Sequence, residues 1–557
     1  MSNQVNAMLL MARSNSDRWQ AYLVFALYVV AMVVVVIVTQ KKAKGIDAYL
    51  IGNRSVGAWF SAFGYGTTYF SAVVFVGYAG TFGGNIGLSS IWIGIFNGLV
   101  GSLLAWIILA EPTRRMTQRL DTNTMPGFFE KRYESRNLRL ITAILIFVLL
   151  IPYSTSVYQG VGYLCEAVFG IDFKWIIFIM AILTGLYLFV GGYFANALSN
   201  FIQGIIMLVG VVVMLALMFA SKEVNGFEGL KRLTEMGYGM VPKVADGVGF
   251  LDRPGIIIMF NVFLTSFGVW AVPQSVQKFY AIKDKSAINK GMIISTVFAI
   301  IIGVSAYLNG SFIRLFNPDI TSAELKNAVP NMLLSNPLFT FGVLGFICVL
   351  IVSASMSTLS SVALVSASSL GVDVFQKYSG RKDDDKVVAI VVRSLSFVFV
   401  MLSAILAILE INGIVILMSL SWGTLAGCFI GPYIYGLYSK KATKTGVYIS
   451  IISCLVTTIV LVFVFGKLGG GSSFVGLLQT GVKRAPVIGT IVMAQSMLLT
   501  PIGFFIKKEV PSEETLNLCF NKKENWENSS GSENNEDFSK DTVESFNDSD
   551  GVQQIEE

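Results

Sequence analysis

The chain has 557 residues, of which 54% are hydrophobic and 14% charged, with a formal net charge of +6. That balance excludes a string of soluble domains and fits a membrane protein. The basic residues are dispersed between apolar runs, so the positive charge does not point to nucleic acid. There is no histidine, which removes imidazole acid–base chemistry, imidazole metal ligands and a phosphorylatable histidine.

Apolar runs near 20 residues recur along most of the length, and each can cross roughly 30 Å of hydrocarbon. They fall at 19–39, 58–82, 87–110, 139–168, 173–190, 198–220, 256–274, 289–314, 338–369, 387–409, 412–438, 446–466 and 486–506. The fold class is therefore an all-α polytopic membrane protein of about 13 transmembrane helices. The first run is too long for a cleaved signal and reads as a retained span within an N-terminal segment, 1–57. Lys41, Arg114, Arg115, Lys131, Arg132, Lys278, Lys283 and Lys440 crowd the loops on one side. By the positive-inside rule that side is cytoplasmic, with the N-terminus outside and the C-terminus inside a plasma membrane.

Between the spans, residues 125–133 read as a short amphipathic helix on the cytoplasmic surface, with Pro126 in its first turn. Residues 221–255 read as a long extracellular loop. The last two spans occupy 439–508, and the acidic segment 509–557 reads as a disordered cytoplasmic tail. The five cysteines (Cys165, Cys348, Cys428, Cys454 and Cys519) are scattered and read as free thiols. Glu166, near the outer end of its span, reads equally as a functional intramembrane acid or as a solvated interfacial one.

Residues 353–361 hold six hydroxyls inside a run without charge. Ala354, Ser357, Thr358 and Ser361 fall at i, i+3, i+4 and i+7 and share one helical face. Any one such hydroxyl can simply bond its own i−4 carbonyl or close a helix packing. Six together favour a polar pathway, with neutral oxygens suited to a small hard cation that must bind and leave. Two spans carry breaks at matching places. One is Ser61–Ser71, with Gly64 and Gly66 before β-branched and aromatic residues. The other is Thr265–Gln274, with Gly268 and Pro273. Interrupted spans in corresponding positions of two halves point to a transporter binding site. The halves are 58–220 and 256–438.

Four stretches, 67–83, 191–204, 273–284 and 353–361, resemble the sodium:solute symporter family, which includes sodium/proline and sodium/pantothenate transporters. The likeness spans about 40 to 510. It implies the inverted five-helix repeat of the leucine-transporter type, with Na+ as coupling ion, a small organic solute, a lipid bilayer around the chain and no obligate protein partner. Carried over, the main sodium ligands are the carbonyls of Thr67, Phe70 and Ala354 and the hydroxyls of Ser357 and Thr358. A second cation cluster falls on Ser360, Ser361 and Asn200. Asparagine stands at 200 where the family usually has an acid; an amide offers an oxygen but no charge. Solute contacts fall on Tyr65, Thr68, Tyr69, Gln159, Trp270 and Gln274, although each aromatic reads equally as packing. No Lys or Arg is placed mid-span, which suits a neutral, zwitterionic or monocarboxylate solute. The function implied is sodium-coupled import of an amino acid such as proline, a monocarboxylate or similar. The alternative is a membrane nutrient sensor with a symporter-like domain. No nucleophile–base pair or metal-ligand set marks an enzyme.

Overall fold

The computed structural model describes residues 17–39, 50–190, 193–241, 243–244, 247–321, 324–379, 385–505 and 509–520. Parts of the expected N-terminal segment (1–16 and 40–49) and most of the expected tail (521–557) lie outside the described residues. The described chain is helical, with a single isolated β-bridge between Val56 and Ile282.

In chain order, α1 is Trp19–Thr39, α2 is Ala58–Tyr69 and α3 is Val73–Gly83. Next come α4 (91–119), α5 (Met125–Tyr133), α6 (Arg136–Phe169), α7 (Phe173–Val190) and α8 (Tyr193–Ala220). After the short α9 (Phe227–Glu235) follow α10 (Pro254–Val262), α11 (Pro273–Tyr280) and α12 (Lys285–Ser311). Then come α13 (Ala328–Ser335), α14 (Phe341–Leu370), α15 (Asp385–Ile408) and α16 (Ile414–Tyr438). Last are α17 (Lys444–Leu468), α18 (Phe474–Gly481), α19 (Ala485–Leu499) and α20 (Glu513–Phe520).

Among the described residues nine helices are long and apolar enough to span a bilayer, and Trp19–Val35, Phe173–Leu186 and Pro254–Phe267 are shorter apolar helices. The difference from thirteen full spans has a local cause. The run 58–82 is split at Phe70, and its second half continues into Val73–Arg119. On α17, Ile452, Val456, Ile459 and Val460 are all at least half exposed. Their i, i+4, i+7, i+8 spacing makes one apolar stripe facing outward, as a lipid-facing helix requires.

The centre is α14. Every residue from Ile347 to Ser369 is buried, and the helix packs against α1, α2, α6, α8 and α15. Such a helix needs small residues to let its neighbours close in, and Ser, Ala and Gly supply them. Close approach recurs between α4 and α12: a Cβ on Gly94 would lie 2.6 Å from the Gly303 backbone, so glycine is required there.

Two helices break where the sequence loosens them. The α2 helix ends at Phe70 (φ −105°, ψ 122°), after Gly64, Gly66 and two threonines. The chain before α11 is extended at Val272 (φ −77°, ψ 128°), the conformation Pro273 imposes on its predecessor. Pro273 does not end the span, as the sequence suggested; it starts α11, which carries the chain on to Tyr280.

Two further expectations need correction, and one left open is narrowed. The 125–133 helix forms, with Thr124 Oγ1 accepting from the Gly127 amide at 3.1 Å. It is not a surface helix: Phe128, Phe129 and Arg132 are fully buried, and Arg132 Nε donates to the Gly436 carbonyl at 2.8 Å. The segment 509–520 is ordered, because Ser512 and Thr515 donate to Glu134 and thereby fix the start of α20. Glu166 is exposed and only receives the Phe173 amide at 3.4 Å, which favours the solvated reading. All five cysteines are free and buried.

Candidate functional site

The end of α2 meets the middle of α14. Ser357 Oγ lies 3.1 Å from the Thr67 carbonyl and 2.9 Å from that of Ala354. Thr358 Oγ1 lies 3.2 Å from Thr67 O, 3.4 Å from Thr68 O and 3.0 Å from Ala354 O. These oxygens are buried, and none is charged. Carbonyls in the last turn of a helix lack intrahelical amides, so the break at Phe70 is what frees them. Beyond it, the amides of Ala72, Val73 and Val74 go to Ser355 Oγ, Ser71 Oγ and Ser71 O. None of them serves the Phe70 carbonyl. Four of the five oxygens named from sequence therefore converge within hydrogen-bond distance, and the fifth follows on the same unwound strand.

The second cluster forms differently from the expectation. Ser360 Oγ donates to Asn196 Oδ1 at 2.9 Å, and Asn196 Nδ2 donates to Ser361 Oγ at 3.4 Å. Asn196, not Asn200, meets the serine pair; Asn200 lies one turn further along α8, buried with both ends of its amide unpartnered. Lys278 Nζ also donates to Ser361 Oγ, at 3.0 Å. This lysine is 5% exposed, which overturns its assignment to a cytoplasmic loop and the absence of mid-span cations. The cause is Pro273, which restarts the helix and keeps residue 278 inside the bundle.

The residues named for the solute divide. Tyr65 donates to the Gly101 carbonyl at 2.7 Å and packs against Trp106 and Phe279, so both its polar and apolar parts are committed elsewhere. Thr68 is committed to the Gly64 carbonyl and Ser361. Tyr69 donates to Thr265 O at 3.0 Å and stacks on Trp422, while Trp270 donates to Val100 O at 3.0 Å. Gln159 Nε2 donates to Asn412 O at 3.1 Å and its Oε1 has no partner. Gln274 is fully buried with neither end of its amide bonded. A buried amide left open on both ends is costly unless something fills it.

Sequence reasoning missed Asn97, whose Oδ1 accepts from Thr265 Oγ1 at 2.8 Å and Ser266 Oγ at 3.0 Å. The available signal was an isolated amide in the middle of the run 87–110. Both partners sit in wide helical turns with i→i+5 bonding, Asn97–Leu104 and Phe263–Phe267, a distortion that gathers at functional sites.

The two ends of the bundle differ. At one end Val56 pairs with Ala281 and Lys283 through backbone bonds of 3.1 and 3.0 Å. Beside it Arg54 donates to Tyr280 O, Thr117 O, Thr122 O and Asn123 Oδ1 at 2.8–3.2 Å. The opposite end holds a cavity of about 890 Å³ lined by Gly77, Thr81, Phe82, Phe260, Asn261 and Gly413.

A model of the sodium:solute symporter family matches residues 49–454. The chain belongs to the sodium:solute symporter family. The resemblance read from residues 67–83 and 353–361 is thus to the right family, and those stretches carry the α2–α14 oxygens. This family member is 26% identical over 496 residues to sodium/proline symporter 2 of Staphylococcus saprophyticus, covering 86% of this chain and 91% of that one. It is 28% identical over 476 residues to a sodium/proline symporter of Staphylococcus aureus, covering 83% and 87%. Its fold is similar to a solved substrate-bound, outward-open state of a Na+-coupled sialic acid symporter, with a TM-score of 0.68 and 17% identity over 87% of this chain and 98% of that one. Family and relatives are transporters, and the chain is a multi-pass membrane protein.

Proposed function

We infer that this family member is a sodium-coupled symporter that imports a small organic solute into the cell. The observation that carries the reading is the convergence of Thr67 O, Ala354 O, Ser357 Oγ and Thr358 Oγ1 at the break of α2. Neutral oxygens of this kind suit a hard alkali cation that must also dissociate. When sodium enters, the two hydroxyls turn their hydrogens away and offer lone pairs, joined by the carbonyls, with Phe70 O completing the set. Sodium then holds α2 against α14, and the outward-facing arrangement is the one it favours. Coupling requires that difference in affinity, because an ion that binds both states equally shifts nothing.

Import follows from the asymmetry of the two ends. The cavity by Gly77 and Asn261 is the outer entry, and the Arg54 seal is the closed inner gate. The solute sits beside Gln274 and Gln159, whose open amide groups supply a donor and acceptors. Closing over Gly77 and releasing Arg54 then exposes sodium to a sodium-poor cytoplasm. The bundle that carries the two broken helices, drawn from both repeats 58–220 and 256–438, is the body that rocks. Under this reading the N-terminus is outside and the membrane is the plasma membrane.

The solute class is an amino acid such as proline, a monocarboxylate or a similar small molecule. Two relatives are named for proline, which makes L-proline the first probe. Uptake into proteoliposomes under an inward sodium gradient, with potassium in its place as control, tests the reading. L-Proline, neutral amino acids and monocarboxylates are tried in turn; accumulation that ignores sodium for every transported solute contradicts it.

A further inference from the structure

The second cluster on α14 already contains a cation. Lys278 leaves α11 from its sixth residue, and its stem runs past α2: a Cβ built on Gly64 would lie 3.7 Å from Lys278 Cδ. The ammonium ends 3.0 Å from Ser361 Oγ. The same oxygen lies 3.1 Å from Thr68 Oγ1 and 3.4 Å from Asn196 Nδ2. Lys278 and Asn196 take up the two lone pairs of this hydroxyl, and Thr68 Oγ1, whose single proton is drawn to the Gly64 carbonyl at 2.6 Å, closes the third side. No lone pair of Ser361 remains for an alkali ion, and an ammonium within a few ångströms repels one strongly where the dielectric is low.

Helix α8 is matched to this arrangement. It offers amides, Asn196 and Asn200, rather than carboxylates, so the cluster of hydroxyls and amides is neutral apart from the lysine. A neutral cage around one positive charge is what a bound sodium would also make. A cation inside a membrane bundle is expensive and is retained where it acts on an ion pathway.

We propose that Lys278 is a built-in cation: its ammonium fills the cluster of Ser360, Ser361 and Asn196 in place of a second coupling sodium, so that this chain carries one sodium per cycle. The inference rests on the symport reading above and deepens it. The tethered charge sits one helical turn of α14 from Ser357 and Thr358, which remain free to hold the exchangeable ion. Because it cannot dissociate, it adds nothing to the driving force drawn from the sodium gradient.

The test counts radiolabelled sodium ions bound per molecule of purified, monodisperse full-length protein, with no solute needed. The wild type binds one, with a Hill slope near one. Lys278→Arg keeps the charge and also binds one. Lys278→Met combined with Asn196→Asp removes the tethered cation and introduces an acid beside the serine pair, and binds two. A wild type that binds two overturns the proposal whatever the variants do, and so does a folded double variant that still binds one. A wild type that binds no sodium overturns the symport reading itself, and this inference with it.

Discussion

The Thr358 hydroxyl lies 3.2 Å from the Thr67 carbonyl, joining residues 291 positions apart. The contact exists because two local features coincide. A helix ends early and leaves carbonyls without amides, and a fully buried helix turns a hydroxyl face toward them. Either feature alone is ordinary in a membrane helix; together they make a polar point at the centre of an apolar bundle.

If that point is where sodium binds, each hydroxyl supplies part of its affinity. Ser357→Ala and Thr358→Ala are expected to raise the sodium concentration for half-maximal uptake by about 10-fold or more, since a lost ligand worth about 1.4 kcal/mol is a factor of ten. Thr358→Ser keeps the oxygen and should stay near wild type. The measurement is initial uptake rate against sodium at constant ionic strength.

Gln274 separates solute binding from ion binding. Its amide is buried and open at both ends, and it is not among the α2–α14 oxygens. Gln274→Ala should raise the solute KM by roughly 10-fold or more, in line with an unmade buried hydrogen bond of about 1–3 kcal/mol. Sodium affinity measured without solute should move much less. Tyr65→Phe, which removes only a bond to Gly101, should leave the solute KM within about threefold.

Arg54 ties four chain segments at the closed end. Arg54→Ala removes those bonds and should shift the resting population toward an inward-open state. Reaction of a cysteine placed at Ser55 with a membrane-impermeant thiol reagent, applied from the inner face, should become faster. Unchanged reactivity would mean that the Val56–Ile282 pairing holds the gate without it.

Glu130 tests the packing of α5 against its neighbours. Its carboxylate lies 2.5 Å from Arg139 Nη1 and 3.0 Å from Lys377 Nζ. Burial pushes its pKa up, but the hydrogen bonds and charges of Arg139 and Lys377 outweigh this and hold it below the ordinary carboxylate value. A depressed folded value stabilises the protein above the unfolded pKa of about 4.3, and the gain is lost as pH falls through the folded value. Thermal unfolding midpoints should therefore drop more steeply below about pH 4 in the wild type than in Glu130→Gln. Glu130→Gln should itself be less stable at neutral pH, because it leaves Arg139 less well paired.

The Gly94–Gly303 contact makes a stability prediction independent of function. Gly94→Ala places a methyl 2.6 Å from the facing backbone, and α4 and α12 must part. A loss of about 1–3 kcal/mol is expected, read as a lower unfolding midpoint. No change would mean that the two helices pack less closely than described.

Much of this was legible in the residues. Ala354, Ser357 and Thr358 share a face by spacing alone, and Gly64, Gly66 and Pro273 mark the breaks by propensity. What was hidden depends on three-dimensional continuation. Pro273 reads as the end of a span, yet it begins a second half-helix, so Lys278 looked like a loop charge when it is buried. Asn196 and Asn200 lie one turn apart, and only the packing of α8 decides which reaches Ser360. Tyr65 and Tyr69 are four residues apart on one helix, but the Gly101 carbonyl claims the first. The start of α20 depends on Glu134, far away in sequence.

The central claim is an exchangeable sodium between α2 and α14, and ligand-induced stabilisation tests it without knowledge of the solute. The measurement is the thermal unfolding midpoint of purified protein in sodium against potassium at equal ionic strength. The wild type should be more stable in sodium, and Ser357→Ala/Thr358→Ala should show little or none of that difference. A double variant stabilised by sodium as much as the wild type would place the ion elsewhere and contradict the account.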